Sequence, residues 1–219
     1  MKKELNILKK SIEILGEKLL FTNQRALFWE REKTLIISDL HVGKTAHFRK
    51  NGIAIPSNIL NEDLLRLEQL IQQFQTKKLI IVGDFLHAGN NSDLDIFCDW
   101  RKCFQTLKII LVKGNHDRIS NQFLQENCID FFENKLEIPP FTFIHEPENS
   151  EGKFCISGHI HPGVLMKQKK IQSIKLPCFA YSENQLILPA FSEFTGLDFK
   201  TLVDNFVKIA FNKDLIFEV

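Results

Sequence analysis

The sequence predicts an α/β fold in which two mixed β-sheets pack as a sandwich flanked by helices. Three observations support this prediction. Five short apolar runs each end in a polar residue, at positions 39, 84, 115, 145 and 159. Helical patterns separate the first three runs, as expected for strands that are joined by crossover helices. From residue 141 onward the apolar segments are short and separated by turns, which favours hairpins.

The first half of the chain has the pattern of a parallel sheet. Residues 12–30 are typical of strands joined by tight turns, and the runs TLIISD, KLIIVGD and KIILVKGN follow. Continuously apolar runs of this length indicate strands that are buried on both faces. The segments between them each place apolar residues on one helical stripe: Leu60, Leu64, Leu67, Ile71 and Phe74 in 57–75, and Leu94, Phe97, Trp100 and Phe104 in 92–104. Alternating strands and helices predict right-handed crossovers and parallel pairing.

The second half of the chain has a different pattern. It contains the segments FTFI, KFCIS, GVLMK, SIKLPCFAY and QLILPAF, with no long helical pattern among them. Short strands separated by turns indicate hairpins and mostly antiparallel pairing. We therefore expect this half to form a second sheet that packs against the first.

The composition fits a single domain over residues 1–219. The chain is 44% hydrophobic and 25% charged, which is ordinary for a globular protein and indicates neither disorder nor a membrane protein. No apolar run approaches the roughly 20 residues that span a bilayer, and charges interrupt the N-terminal segment where a signal peptide is apolar, so we expect a cytoplasmic protein. Five cysteines, an odd number without a CxxC pair, predict reduced and mostly buried thiols.

The charge balance does not decide whether the chain binds nucleic acid. Its net charge of +1 gives no basic footprint of the kind that nucleic-acid-binding domains commonly show. Local basic clusters occur at 48–50 and 167–170, and we interpret them as solvated surface. The charge therefore neither supports nor excludes a nuclease.

Residues that can bind metal stand at the end of every apolar run. In open α/β sheets ligands gather beyond the carboxyl ends of the strands, so these side chains are expected to meet. If the chain stays extended after each strand, residues two apart project to the same side, as in the pairs 39/41 and 159/161. Five of the seven histidines lie in these strand-end motifs, which favours a joint site over unrelated surface positions. The candidate ligands are Asp39, His41, Asp84, Asn115, His145, His159 and His161.

The ligand set is too large for one ion and suits two. If Asp84 bridges, each ion receives four protein ligands and keeps positions for water and a phosphate oxygen. Two such ions about 3.5 to 4 Å apart can activate water and neutralise charge on a phosphorus group. The mixed oxygen and nitrogen donors disfavour magnesium and a thiolate zinc site. We expect two divalent transition-metal ions, with manganese as the first candidate and iron, zinc or cobalt as alternatives.

The same motifs carry a family resemblance. SDLHVGK, VGDFLH, KGNHDR, FIHEP and SGHIHPG resemble, in this order, the signature of the calcineurin-like metallophosphoesterase superfamily. DLHVGKTAHFRKNGIAIP, LPCF and LPAFSEFTG, with HEP and GHIHPGV, are similar to the bacterial DNA-ligase-associated DNA-damage-response endonuclease family. The narrower likeness covers about residues 11–200, and no motif is missing.

The resemblance assigns roles to individual residues. It implies that one ion is held by Asp39, His41, Asp84 and His161 and the other by Asp84, Asn115, His145 and His159. It implies that His116 faces the phosphate and protonates the leaving oxygen or stabilises its charge, for which an ordinary histidine pKa is suitable.

Several further residues surround the expected site. Asp117 is expected to orient His116 by a hydrogen bond, or alternatively to cap the turn that follows. His87 is expected to touch the substrate phosphate. Lys44, Arg49 and Arg118 are candidate phosphate clamps, with ordinary surface ion pairs as the alternative.

These assignments predict a dinuclear metal-dependent phosphodiesterase. By the resemblance, it is a DNA endonuclease of DNA repair in which a metal-bound hydroxide attacks phosphorus while His116 assists the leaving group. One alternative is a small-molecule phosphoesterase that acts on nucleotides, and another is a non-catalytic scaffold subunit of a repair complex. The expected partners are DNA and DNA-ligase-associated repair proteins, with no membrane; the oligomeric state stays open.

Overall fold

The first half of the chain forms a seven-stranded sheet and its helices in a computed structural model. The model describes residues 4–50, 52, 54, 56, 58–86, 92–148, 152–166, 173–202 and 205–219, without the side chains of residues 47 and 50. In chain order the elements of this half are β1 (Lys9–Ile14), β2 (Glu17–Thr22), β3 (Leu27–Trp29), β4 (Thr34–Ile37), α1 (Lys44–Lys50), α2 (Ile59–Phe74), β5 (Lys78–Val82), α3 (Ser92–Cys103), β6 (Lys108–Val112), α4 (Asn121–Glu126) and β7 (Ile129–Phe132). The strands lie in the order of their numbers.

Pairing within this first sheet changes character at β4. Strands β1 to β4 form an antiparallel meander, whereas β4, β5, β6 and β7 run parallel. This confirms the parallel pairing that alternating strands and helices predict. All three parallel strands that end in candidate ligands therefore point to the same edge of the sheet.

The second half of the chain forms an eight-stranded sheet. Its elements are β8 (Lys135–Ile138), β9 (Phe141–Ile144), β10 (Phe154–Ser157), β11 (Gly163–Met166), β12 (Ile174–Tyr181), β13 (Gln185–Ile187), β14 (Val207–Phe211) and β15 (Ile216–Glu218). The strand order is β15, β14, β12, β13, β10, β9, β8, and β11 pairs with β12 alongside. Most pairs are antiparallel as expected, but β10 runs parallel to both of its neighbours, β9 and β13.

The two sheets share one of the two large hydrophobic cores. In β4, Leu35 and Ile37 belong to the core against the helices, whereas Ile36 belongs to the core between the sheets. The same alternation continues in β5 and β6. This explains why the strand sequences are continuously apolar: one face packs on helices and the other on the second sheet.

The helices cover the outer face of the first sheet. The predicted stripe of α2 is buried along its whole length, at Leu60, Leu64, Leu67, Ile71 and Phe74. Among the described residues, the outer face of the second sheet is covered by β11 and by residues around Leu202, in two small apolar clusters. The sandwich of mixed sheets is confirmed, with its helices on one side. None of the described helices is both long and apolar enough to cross a membrane.

The cysteines are more exposed than the composition predicts. No disulfide joins the five, all of which lie among the described residues. Only Cys155 and Cys178 are buried; Cys98 is half-buried, and Cys103 and Cys128 are exposed. The expectation of mostly buried thiols is therefore wrong. A helix end and a turn place the exposed pair at the surface, which apolarity alone does not predict.

Candidate metal centre

The candidate ligands follow the carboxyl ends of parallel strands in both sheets. Asp39, Asp84 and Asn115 come after β4, β5 and β6 of the first sheet. His145 and His159 come after β9 and β10, which form a parallel pair of the second sheet. The shared core brings these two edges together. The expectation that ligands collect beyond the carboxyl ends of strands therefore applies to both sheets at once.

One group of ligand atoms belongs to Asp39, His41 and His161. One donor atom from each lies within 4.8 Å of the others. Oδ1 of Asp39 is 3.2 Å from Nε2 of His161. Both atoms are buried, and neither has a hydrogen-bond partner among the described residues. Buried polar atoms without partners are costly. A cation held by both Oδ1 of Asp39 and Nε2 of His161 would remove this cost.

A second group is centred on His145. Its Nε2 lies 3.2 Å from Oδ1 of Asn115, 3.2 Å from Nδ1 of His159 and 3.4 Å from Oδ1 of Asp84. Ligand atoms bound about 2.1 Å from one ion are separated by about 3.0 to 3.4 Å at octahedral or tetrahedral angles. The spacing of this group therefore fits a shared divalent ion.

The tautomer of His145 is consistent with metal binding. Its Nδ1 lies 3.3 Å from the carbonyl oxygen of Val82. When Nδ1 carries the proton and donates it to that carbonyl, Nε2 presents its lone pair to the other donors. The backbone of β5 thus orients a ligand that the second sheet supplies.

Asp84 lies between the two groups. Donor atoms of Asp39, Asp84 and His145 lie within 4.8 Å of one another, so the shared carboxylate reaches both sets. Its Oδ1 also accepts a hydrogen bond of 3.1 Å from the backbone N–H of His116. The arrangement suits the bridging role that the sequence predicts for Asp84.

The backbone turns sharply at the ligand positions. Five candidate ligands have positive φ: Asp39 at 54°, His41 at 51°, Asp84 at 49°, His159 at 67° and His161 at 54°. Residues other than glycine rarely adopt this left-handed region, and such residues cluster at functional sites. The condition of an extended chain from 39 to 41 and from 159 to 161, under which residues two apart project to the same side, is not met. The paired residues converge through tight turns.

Three glycines make room for the ligands. A Cβ on Gly83 would lie 1.9 Å from Nδ1 of His145, and one on Gly114 would lie 2.4 Å from Oδ1 of Asp84. A Cβ on Gly158 would lie 2.7 Å from Oδ2 of Asp39. These glycines precede Asp84, Asn115 and His159 respectively. The motifs GD, GNHD and GHxH therefore require glycine because ligands from other strands occupy the space of its side chain.

A family comparison adds to this geometry. The model of the family described as Calcineurin-like phosphoesterase matches residues 32–193, which is more than half of the chain and includes every candidate ligand. The chain belongs to the calcineurin-like phosphoesterase family. Members of this family use divalent metal ions, and the two donor groups fit such ions. This calcineurin-like phosphoesterase is accordingly a metal-dependent hydrolase of phosphate esters.

Solved structures resemble this phosphoesterase to different degrees. The crystal structure of the Pseudomonas putida nuclease MPE is similar with a TM-score of 0.82 and 29% identity, and the alignment covers 97% of this chain and 100% of that one. A protein of unknown function from Aquifex aeolicus gives a TM-score of 0.42 at 18% identity, covering 64% of this chain and 81% of that chain. Yfce, a phosphoesterase from E. coli, gives 0.43 at 14% identity, covering 85% and 97% respectively. No curated protein sequence matches significantly.

Burial and charge set the electrostatics of the phosphoesterase site. Burial acts to raise the pKa of Asp39, but His161, Ser38 and His145 together outweigh this effect and hold the pKa below its usual value. Burial lowers the pKa of Lys44, an effect that the charges of Asp39 and Asp84 oppose. Lys44, at the start of α1, therefore lies within electrostatic reach of both carboxylates.

His116 lies at the exposed rim of the phosphoesterase site. The centre of its ring is 6.4 Å from that of the candidate ligand His41. Because its side chain is exposed while its backbone is fixed by Asp84, it can meet a substrate that the ions hold. Its role in proton transfer stays a prediction.

Asp117 holds backbone rather than the histidine beside it. Its Oδ1 accepts a 2.7 Å hydrogen bond from the N–H of Leu86, and its Oδ2 accepts a 2.8 Å bond from the N–H of Gly114. Burial raises the pKa of Asp117 to about 6, while the two backbone bonds act to lower it. The carboxylate joins the loops after β5 and β6. Its bonds thus serve neither the expected orientation of His116 nor a cap for the turn that follows.

The remaining predicted contacts divide into three cases. Arg118 is exposed beside His116, where a substrate can reach it. Arg49 is engaged elsewhere: its Nη2 is 3.4 Å from Oδ1 of the buried Asp93, and its Nη1 donates to the carbonyl of Pro56 at 3.2 Å. His87 lies outside the described residues.

Two arginines near the site, the buried Arg66 and the half-buried Arg25, were not expected from the sequence. Arg66 of α2 and Arg25 both donate hydrogen bonds to the loop that follows β13, at the carbonyls of Phe191 and Ala190. The sequence did contain one signal for Arg66. Asp63 and Arg66 stand three apart within the apolar stripe of a helix, which indicates a buried ion pair rather than an exposed one.

Proposed function

We propose that this phosphoesterase is a DNA nuclease that cleaves phosphodiester bonds at a dinuclear metal centre. The observation that carries the proposal is the pair of donor groups that meet at Asp84 on an open edge of the two sheets. Support for DNA as the substrate comes from the similarity to the nuclease MPE, which extends over 97% of this chain. The motif resemblance supports the same substrate.

The accessible side of the centre suits a polymer. Asp39 and Asp84 are buried at 0% and 3% exposure, whereas Asn115, His116 and His159 are exposed at the rim. A phosphate group that approaches from solvent therefore meets the exposed donors first, and the described residues do not enclose them in a cavity. This arrangement allows the chain of a nucleic acid to continue on both sides of the scissile phosphate.

The metal ions would supply Lewis-acid stabilisation of the phosphate and a more acidic water. We assign one ion to Asp39, His41, Asp84 and His161 and the other to Asp84, Asn115, His145 and His159. The mixed donors favour transition metals over magnesium, and manganese is the ion we propose first.

The protein contributes positioning and proton transfer. His116 would donate a proton from its imidazole to the leaving oxygen, since its ring is exposed next to His41. The bond from its backbone N–H to Asp84 fixes the main chain of His116 against the shared carboxylate. Asp117 keeps the loops after β5 and β6 in register through its two backbone hydrogen bonds.

Phosphate contacts are proposed for two cations. Lys44 lies near both buried carboxylates, and Arg118 is exposed beside His116. Arg49 is bound to Asp93, so we propose that it stabilises α1 and affects substrate through Lys44. A contact from His87 is retained from the motif resemblance.

The cellular part of the proposal follows the motif resemblance. We place the enzyme in the cytoplasm, in DNA repair, with DNA-ligase-associated proteins as partners. Binding to a purified ligase-associated protein, measured by co-elution, would test the partner separately from the chemistry.

A substrate panel tests the proposed function. Metal-free protein is reconstituted with Mn²⁺ and incubated with plasmid DNA, single-stranded DNA, bis-p-nitrophenyl phosphate and nucleoside monophosphates. The expected result is cleavage of DNA and of the chromogenic diester. Intact DNA together with rapid turnover of a monophosphate would contradict the nuclease and favour the small-molecule phosphoesterase. Failure to turn over any substrate with metal bound would favour a scaffold.

A further inference from the structure

The loop formed by residues 188–193 connects the ends of two ligand-bearing strands. It follows β13, the second strand that runs parallel to β10. Its Leu188 N–H donates to the carbonyl of Ser157 at 2.8 Å, and its Phe191 N–H donates to the carbonyl of Ser38 at 2.8 Å. The N–H of Ser192 donates to the carbonyl of Asp39 at 3.3 Å. The 188–193 loop therefore fixes the backbone of Asp39 itself.

Arg66 of α2 contacts the 188–193 loop. Its guanidinium donates to the carbonyl of Phe191, lies 2.9 Å from Oε1 of Glu193 and stacks over the ring of Phe191 at 4.4 Å from its centroid. On its own helix it pairs with Oδ1 of Asp63 at 2.7 Å. The side chains of Arg66 and Asp63 are only 7% and 2% exposed. One guanidinium thus connects α2 to the loop at two residues, Phe191 and Glu193.

The arrangement requires arginine rather than any cation. A guanidinium is planar and has five N–H donors in a fixed fork, whereas an ammonium is a compact point charge. Contacts to a carbonyl, two carboxylates and an aromatic face at the same time need that planar fork. Asp63 shows the cost of this burial: burial raises its pKa although Arg66 acts to lower it.

Asp39 transmits the position of the loop to other ligands. Its Oδ2 accepts a 3.2 Å hydrogen bond from the backbone N–H of His159, and its Oδ1 faces His161. A shift of the 188–193 loop would therefore move the carboxylate relative to histidines from the second sheet.

We propose that Arg66 is a positioning residue for the metal centre: it holds the 188–193 loop and thereby aims the carboxylate of Asp39. The inference concerns the metal centre and does not depend on DNA as the substrate. Groups around metal ligands commonly change metal affinity 10- to 100-fold when they are altered. Arg66 does not contact Asp39 directly but acts on it through the backbone of the 188–193 loop.

The test compares Arg66→Lys with Arg101→Lys. Arg101 is a matched control because it is also a buried helical arginine that donates to loop carbonyls, at 2.9 Å to Asn127 and 3.3 Å to Cys128. Those carbonyls belong to the segment between α4 and β7, which supplies no candidate ligand. Both variants keep the positive charge of the side chain and lose the planar set of guanidinium N–H donors.

The measurement is metal binding rather than turnover. Each protein is stripped with a chelator and titrated with Mn²⁺ while free Mn²⁺ is followed by electron paramagnetic resonance. Thermal unfolding of the metal-free proteins reports the structural cost separately. We expect wild type and Arg101→Lys to bind two equivalents alike, and Arg66→Lys to bind one of them about 10-fold more weakly.

Two outcomes would overturn the inference. Metal affinities of Arg66→Lys that match those of Arg101→Lys would show that the guanidinium only stabilises the fold. If Arg66→Lys does not fold, Glu193→Ala decides, because Glu193 is 60% exposed and its change removes only the loop carboxylate that accepts from the guanidinium. Weakened Mn²⁺ binding in that variant supports the inference, and unchanged binding overturns it. Wild-type protein that binds neither Mn²⁺ nor iron, zinc or cobalt ions would overturn the metal centre itself, and the inference with it.

Discussion

The two sheets contribute different chemistry to the same site. The first sheet supplies all the oxygen donors, Asp39, Asp84 and Asn115, together with the imidazole of His41, whereas the candidate ligands from the second sheet are all imidazoles. The carboxylates are buried at the base, and His159 is exposed at the rim. Buried charge is costly unless it is compensated, so the two carboxylates of the first sheet place negative charge where divalent cations would offset it. The imidazole donors of the second sheet would add no further negative charge to such a site.

The two sheets nevertheless use the same structural rule. In the first sheet the ligands follow the parallel strands β4, β5 and β6, and in the second they follow the parallel pair β9 and β10. Strand β10 also runs parallel to β13, and the other pairs of the second sheet are antiparallel. Parallel neighbours end at one edge, which lets successive loops converge. The local parallel patch in the second sheet is therefore what makes a joint centre feasible.

The largest effect is expected where the contributions of the two sheets meet. Asp84→Asn should abolish binding of both ions and reduce hydrolysis by more than about 100-fold, since even outer groups around metal ligands cost 10- to 100-fold. Metal-free Asp84→Asn should be no less stable than wild type, because a buried charge is removed. Metal content by elemental analysis and denaturant unfolding check both statements.

A surface aspartate provides the control for this change. Asp130 on β7 is 60% exposed and pairs with Lys108 at 3.1 Å, so Asp130→Asn should leave metal content and activity unchanged. Loss of a single ion from Asp84→Asn would show that the carboxylate serves one donor group only, and the sheets would then build separate sites.

The next effect separates catalysis from metal binding. His116→Ala should retain both ions but lower kcat for DNA by about 10²- to 10⁴-fold, the usual range for loss of a general acid. The loss should be much smaller for bis-p-nitrophenyl phosphate, whose leaving group needs no proton. Equal losses on the two substrates would argue against proton donation by His116.

Much of this architecture follows from local sequence. The strands β4, β5 and β6 were predictable because both of their faces are buried and their apolar runs are uninterrupted. The stripe of α2 was predictable from its period. The short helices α1 and α4, of seven and six residues, carry too few apolar positions to show a period. Their positions depend on tertiary contacts such as the one from Thr45 to Asp93.

The candidate site was predictable in its membership but not in its geometry. The polar residues at strand ends identified every member of the two donor groups. The left-handed turns at Asp39 and His159 could not be read from the sequence, because only a small fraction of aspartates and histidines adopt that region and no local pattern identifies which ones do. Arg66 escaped detection for a related reason: its partners on the loop lie more than a hundred residues away.

A smaller effect tests the packing between the two edges. Gly83→Ala should weaken one metal equivalent about 10- to 100-fold, because the added Cβ would lie 1.9 Å from Nδ1 of His145. Gly16→Ala is the control: its φ of +76° equals that of Gly83, and nothing lies within 4 Å of the added atom. Both variants bear the left-handed penalty of about 1 to 2 kcal/mol. Mn²⁺ titration of the two proteins should therefore differ, and identical curves would show that the close contact with His145 does not matter.

The smallest effect compares the outer faces of the sheets. Leu67 is fully buried between α2 and the first sheet, whereas Val164 of β11 belongs to a small cluster on the outer face of the second. Leu67→Ala should lower the free energy of unfolding by about 2 to 5 kcal/mol. Val164→Ala should cost only about 1.5 kcal/mol, the transfer free energy of two methyl equivalents, since a thin covering can close over the gap. Urea unfolding of the metal-free proteins measures both, and neither change should alter the number of bound ions. A larger cost for Val164→Ala would mean that β11, which follows directly on His161, stabilises the fold as strongly as the helices do.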